Sequence, residues 1–281
     1  QPPVYPEFYD VNEMSGRRVA ENNFLEKDGK WEVNFEDFEA KAKDPLVKMF
    51  ILCNPHNPLG KVWTEEEIRR MLEICFENGV LVVSDEIHSD LIFHGKKHIP
   101  AAIAVRGADK KVITCISATK TFNLAGLQAS TTVFPNEEMK KIFDSYWSSM
   151  DIHRNNAFSS VAMEAALNEG EEWLEQVLDY ISGNFDFVAD YCKNHIPAIK
   201  PTLPDATYLI WLDCRALGLN DAALKEFMIR KAKLGLNPGS GFTRSLTGFM
   251  RLNAACPRSV LEQAMKQLEQ AVKDLIGEEG K

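Results

Sequence analysis

Lys120 lies just past a short, apolar, β-branched run, Val112 to Ile116, that reads as a buried strand. An amine at the carboxyl end of such a strand sits where open α/β sheets place their ligands. Partly desolvated there, it gives up its proton more readily and can form a Schiff base with a carbonyl. Asp85 follows a second apolar run, Val80 to Ser84. Asn57 stands in the turn-rich string NPHNPLG, Asn54 to Gly60, after a third run, Val47 to Cys53. Carboxyl ends of parallel strands share one edge of a sheet, so these three loops are expected to converge.

A lysine, an aspartate and an asparagine together suit a pyridine aldehyde cofactor. The lysine takes the aldehyde, the carboxylate keeps the ring nitrogen protonated, and the amide donates to the phenolic oxygen. His88, three residues past Asp85, can reach the same oxygen, and Ser117 and Thr119 offer hydroxyls to phosphate. Taken singly, each residue also has a plain structural reading. Lys120 fits a surface loop with Ser117 and Thr119 as turn residues, and Asp85 and Glu86 fit a polar strand end. His88 fits a satisfied imidazole, and Asn54 to Gly60 a rigid turn.

The elements around these residues have βαβ texture. Thr64 is a helix N-cap with Glu67 three residues on, a capping box, and Ile68, Met71, Leu72 and Cys75 form the helix's apolar face. Gly79 stands where a C′ residue ends it. Strand, helix, strand implies a parallel sheet covered on both faces. Further on, the pattern predicts a strand over 129–134, helices over 136–150 and 159–168, and a long helix from Glu171 to about Lys193. Leu174, Val177, Leu178, Ile181, Phe185 and Val188 form the long helix's stripe.

Past Pro197 and Pro201, a strand (206–213), a helix (220–233), a strand (248–253) and a last helix (257–276) follow, the last with Val260, Leu261, Met265, Leu268 and Val272 inward. Upstream, residues 1–9 read as a loop, 17–22 as a short strand and 31–42 as a short helix. The expected fold is α/β, with a mixed, mostly parallel sheet flanked by helices. The large domain covers residues 1–185 and a smaller C-terminal α+β domain covers 186–281.

Composition narrows the function classes. The 281 residues are 45 % hydrophobic and 26 % charged, with a net charge of -9 and no basic patch interleaved with aromatics, so nucleic acid is not an expected partner. No apolar run has membrane-spanning length, and no signal-like segment opens the chain. The six cysteines are scattered without metal-ligand spacing, which fits a reducing compartment, the cytoplasm, and no metal.

The strings NPHNPLG, SDEIH (Ser84 to His88) and SATKTFNLAGLQ (Ser117 to Gln128) resemble those of the fold-type I pyridoxal-phosphate enzymes, the class I/II aminotransferase superfamily. Within it they look most similar to the cystathionine β-lyase-like branch, to which a maltose-regulon modulator is related. The resemblance implies pyridoxal 5′-phosphate as cofactor, Lys120 as its Schiff-base lysine and Asp85 as the partner of the pyridinium nitrogen. Asn57 and His88 would face the phenolic oxygen, although many aminotransferases carry tyrosine at the position of His88. Tyr5 would stack on the ring, and Arg251 would clamp the substrate α-carboxylate, for which a planar guanidinium is well shaped.

Two departures from the pattern stand out. Gln128 occupies the position where aspartate-type members place a phosphate-binding arginine, so phosphate leans on Ser117, Thr119 and backbone amides. The resemblance also implies that an N-terminal stretch of roughly a hundred residues, including a Gly-rich phosphate cradle at a helix N-terminus, is absent.

The implied activity is α,β-elimination from L-cystathionine or L-cysteine, giving a thiol, pyruvate and ammonia, by a homodimer. An aminotransferase acting on an L-amino acid needs the same core residues and is the alternative. A catalytically idle regulatory or binding protein that keeps the fold is the third reading, against which an intact Lys120, Asp85 and Asn57 argue.

Overall fold

The computed structural model describes residues 1–27, 29–152 and 154–279. They divide into two compact units. A terminal unit holds Gln1–Glu32, Asn57–Lys61 and the chain from Leu178 onward; a sheet unit holds Val33–His56 and Val62–Val177. The division falls at 177/178 where the sequence places it after 185, and the first 32 residues group with the C-terminal part.

The opening segment departs from its expected loop. Helix α1 (Glu7–Met14) begins directly after Pro6, with Glu7 and Asp10 in its first turn where acids complement the helix dipole. No strand forms over 17–22; β1 (Leu25–Lys27) and β2 (Lys30–Glu32) pair instead as an antiparallel ribbon. Trp31 belongs to β2, its ring buried edge-on to Phe249 at 6.0 Å. The helix expected from Trp31 onward is therefore shorter, α2 (Phe35–Ala42), and starts where the Asn34 side chain accepts from Asp37 N–H.

In the sheet unit, β3 (Met49–Cys53), α3 (Glu65–Glu77) and β4 (Leu81–Asp85) form the expected βαβ. Thr64 accepts from Glu67 N–H at 3.2 Å while the Glu67 carboxylate accepts from Thr64 N–H at 2.9 Å. Ile68, Met71, Leu72 and Cys75 are fully buried, and Gly79 closes the helix with φ +69°, which a side chain would strain. Then come β5 (Val112–Ile116), α4 (Ala118–Thr121) and β6 (Thr131–Val133), followed by α5 (Glu137–Ser149) and α6 (Ser159–Glu169).

The strand order is β3-β4-β5-β6. The first three strands are parallel and β6 antiparallel, so the sheet is mixed and mostly parallel. Met139, Ile142, Phe143, Tyr146, Trp147 and Met150 follow the spacing of an apolar helix stripe, yet α5 has no buried residue.

The long helix α7 (Glu171–His195) buries Ile181, Phe185, Val188 and Cys192; the earlier stripe residues Leu174, Val177 and Leu178 are only half-buried. In the terminal unit, β7 (Lys200–Thr202), β8 (Leu209–Asp213), α8 (Asp221–Arg230), β9 (Asn237–Pro238), β10 (Phe249–Asn253) and α9 (Arg258–Glu279) follow. The four strands lie antiparallel in the order β7-β8-β10-β9. The two strands of this sheet that sequence reading misses, β7 and β9, are its edges, short and proline-bearing as edges tolerate. Of the expected inward residues of α9, Leu261, Met265, Leu268 and Val272 are buried and Val260 is exposed.

Asn184 on α7 is fully buried. It donates to Ala254 O at 2.8 Å and Cys256 O at 3.0 Å, and accepts from Arg258 Nε at 2.8 Å. Replacing it by alanine strands two carbonyls and a guanidinium N–H in the interior. N184A is expected to lower unfolding stability by roughly 2–4 kcal/mol, read as a fall in the urea midpoint at unchanged m-value.

Candidate active site

Asp85 and Lys120 both belong to the sheet unit, at the carboxyl ends of the neighbouring strands β4 and β5. The strand stops before Lys120 because Ser117 turns the chain. Its hydroxyl accepts from Thr119 N–H at 3.0 Å and caps the single-turn helix α4 that carries the lysine. Thr121, on the same turn, donates to Asp90 Oδ2 at 2.8 Å and ties α4 to the segment after β4. Asp85 Oδ1 accepts from Ile87 N–H at 3.2 Å, an Asx turn that aims the carboxyl at the strand's end.

The Asp85 carboxyl is out of place in water-poor surroundings. Burial pushes its pKa up to about 6 and the neighbouring Glu86 charge adds to this; the Ile87 N–H and the Lys120 charge pull the other way. Lys120 thus acts electrostatically on Asp85, but too weakly to offset desolvation.

Ser117 and Thr119 are less ready for phosphate than sequence reading expects. Ser117 Oγ lies 2.6 Å from Ala129 O, to which it donates, and 2.7 Å from Thr119 Oγ1. With the serine proton given to Ala129, the threonine proton goes to Ser117, and both hydroxyl protons are engaged by the protein itself. Gln128 is exposed in the left-handed conformation (φ +51°). His88 is buried in the turn after β4, with its carbonyl accepting from Leu91 N–H at 3.0 Å.

Asn57, Tyr5 and Arg251 belong to the terminal unit. Arg251 Nη1 donates to Asn57 Oδ1 at 2.9 Å and Nη2 to Asn237 Oδ1 at 2.9 Å, and its guanidinium lies 4.5 Å from the Phe242 ring centre. Arginine can only donate, so the Asn57 carbonyl end faces it and the amide NH2 points elsewhere. These partners are neutral, and burial lowers the Arg251 pKa. Its Nε is buried without a hydrogen-bond partner among the described residues. A guanidinium held this way is suited to a carboxylate, which supplies two acceptors and a charge. Tyr5 is half-buried and packs edge-on to Phe8 at 5.8 Å, in a segment pinned by Val4 N–H donating to Phe242 O. Arg244, in the loop before β10, is taken up by an ion pair with Glu13 at 2.5 Å.

Sequence reading passed over Asn54 and Glu86 as turn and strand-end polars; both are buried and hydrogen-bonded. The serine two residues before Glu86, on the same strand face, was the available signal.

The aminotransferase class I and II family model matches residues 1–268. The chain belongs to that family. It is 44 % identical over 273 residues to cystathionine beta-lyase PatB of Bacillus subtilis (strain 168), covering 97 % of this chain and 70 % of that protein. Among solved structures, cystalysin from Treponema denticola, which contains a pyridoxal 5′-phosphate cofactor, superposes with a TM-score of 0.95 at 33 % identity. That match covers 98 % of this chain and 70 % of cystalysin. The pyridoxal-phosphate-bound C-S lyase from Staphylococcus hominis gives a TM-score of 0.90 at 32 % identity, over 96 % and 69 % of the two chains.

The raised Asp85 pKa has a signed consequence for the cofactor-free chain. Its folded value lies above the ordinary 3.8, so the stability of the protonated acid is full below about pH 4 and lost as pH rises through 6. D85N removes that loss while keeping an acceptor for Ile87. It is expected to stabilise the cofactor-free protein on the order of 2 kcal/mol at pH 8 and to change little at pH 4, as measured by urea denaturation at both values.

Proposed function

We propose that this chain carries the chemistry of a pyridoxal-5′-phosphate-dependent carbon–sulfur β-lyase. The reaction is α,β-elimination from L-cystathionine or L-cysteine, giving a thiol, pyruvate and ammonia. The observation that carries the reading is the 44 % identity to a cystathionine beta-lyase over 97 % of the chain.

The residues present fit the cofactor. A half-buried carboxyl whose pKa is raised to about 6 is stabilised by a ring cation, and the lysine whose charge reaches it is suited to hold an aldehyde. When bound, the cofactor acts as an electron sink for the substrate's α-carbon. Asp85 holds a proton on the ring nitrogen. Lys120, once its amine is free, takes the α-proton and is the group positioned to return one. Arg251 would bind the substrate carboxylate, and Asn57 and His88 are the two candidates to donate to the cofactor's phenolic oxygen. Tyr5 supplies an apolar face for the ring. Ser117 and Thr119 serve phosphate mainly by shaping the α4 turn, since their protons are engaged.

The amino-acid substrate is a small molecule, and a homodimer is the expected assembly. The six cysteines are all free, which fits a cytoplasmic setting. Neither nucleic acid nor a membrane enters this reading; among the described residues no helix is long and apolar enough to cross a bilayer.

The family's own description favours a second reading, an aminotransferase acting on an L-amino acid. The two are separated by one incubation. Protein loaded with pyridoxal 5′-phosphate is given L-cystathionine without a keto acid, and pyruvate is followed by a coupled assay. Release of pyruvate supports the lyase, and turnover only with an added keto acid supports the transferase. Absence of a cofactor absorbance band that depends on Lys120, tested with K120A, leaves a binding protein. In the active case, R251K is expected to lower kcat/KM by at least about tenfold, mainly through KM, because an ammonium cannot make the two-pronged contact.

A further inference from the structure

Asn54 and Glu86 occupy equivalent places, each one residue past a strand, and the residues before them, Cys53 and Asp85, are register partners. Backbone pairing runs on past the strand ends. Asn54 N–H donates to Asp85 O at 2.9 Å and Glu86 N–H to Cys115 O at 2.8 Å. Side chains alternate along extended chain, so Ser84 and Glu86 share one face and Asp85 takes the other.

On the Glu86 face, the segment His98–Ala101 is strapped across both strand ends. Glu86 Oε1 accepts from the Ser84 hydroxyl at 2.8 Å and from Ala101 N–H at 2.9 Å, and Oε2 accepts from His98 Nε2 at 2.8 Å. Asn54 Nδ2 donates to Ile99 O at 2.9 Å. Glu86 is 2 % exposed and Ser84 fully buried. His98 Nδ1 is buried without a hydrogen-bond partner among the described residues, so the ring proton sits on Nε2, facing the carboxylate. A buried carboxylate with three donors cannot turn without stranding all of them.

We propose that Glu86 is a positioning residue for Asp85: clamped by the His98–Ala101 strap on one face of the strand end, it fixes the direction in which the carboxyl of Asp85 points on the other. The proposal rests on the reading of Asp85 as the group that serves the cofactor ring. Glu86 itself touches neither ring nor substrate in this role. Its charge has a further effect, since it opposes ionisation of Asp85 and thereby favours a cationic partner beside that residue.

E86Q and E86A separate geometry from mere stability. Glutamine keeps an acceptor for Ser84 and Ala101, and its NH2 can donate to His98 once the ring proton moves to Nδ1. Crystal structures of both variants without cofactor are compared with wild type, and the loaded proteins by visible circular dichroism and kinetics. In E86Q the Asp85 carboxyl is expected to stay within about 0.5 Å of its wild-type position. In E86A it shifts by about 1 Å or more, the cofactor's visible dichroism falls at least about twofold, and kcat drops roughly tenfold to a hundredfold with KM changed less than about threefold. A folded E86A with Asp85 unmoved and kcat matching E86Q overturns the proposal. Should E86A not fold, H98A, which withdraws one donor from Oε2, is expected to displace Asp85 in the same way but less, and an unmoved carboxyl there overturns it equally. The cofactor-free coordinates decide this proposal alone, whereas a wild-type chain that binds no pyridoxal 5′-phosphate defeats the functional reading.

Discussion

Burying the carboxyl of Asp85 at the end of β4 costs free energy that a nearby positive charge can return, and Lys120 returns only part of it. The consequences spread through the sheet unit. The parallel pairing of β3, β4 and β5 brings the two groups to one edge of the sheet. The Ser117 cap stops β5 and starts the turn that lifts the lysine, and Thr121 anchors that turn to Asp90. None of these features stabilises the fold in the way a packed leucine does. Together they hold a carboxyl whose ionisation burial disfavours, an arrangement commoner at binding centres than in cores.

The terminal unit follows a parallel logic with the opposite sign. Arg251 lies on the third strand of an antiparallel sheet, opposite Trp211, and takes only neutral partners. A half-buried guanidinium hydrogen-bonded to neutral amides and a half-buried carboxyl whose nearby lysine only partly offsets desolvation are each incomplete in the same electrostatic sense.

Much of this was legible from residue order. The capping box at Thr64, the glycine at 79 and the apolar runs 47–53, 80–84 and 112–116 announce themselves because local physics decides them, and strands 49–53, 81–85 and 112–116 form there. The edge strands β7 and β9 did not, because they are only three and two residues long and a proline within each obscures the pattern. Residues 1–9 carry three prolines and read as loop, yet α1 begins right behind Pro6, where a missing N–H costs a helix nothing. Among site residues, types and order were readable while hydrogen-bond bookkeeping was not. That the Ser117 and Thr119 protons are already engaged by the protein, and that Glu86 is a clamped buried acid, depends on Ala129, His98 and Ala101, which no spacing rule connects.

The bare stripe of α5 bears on how the molecule behaves in a tube. Ile142 and Tyr146 are each about two-thirds exposed, at 66 % and 65 %, on a helix with no buried residue, so greasy surface stays in contact with solvent. Such surface makes a protein cling to hydrophobic resins and to its own copies as concentration rises. Sulfate and other excluded salts will strengthen that tendency, and mild chaotropes will relieve it long before they loosen the sheet.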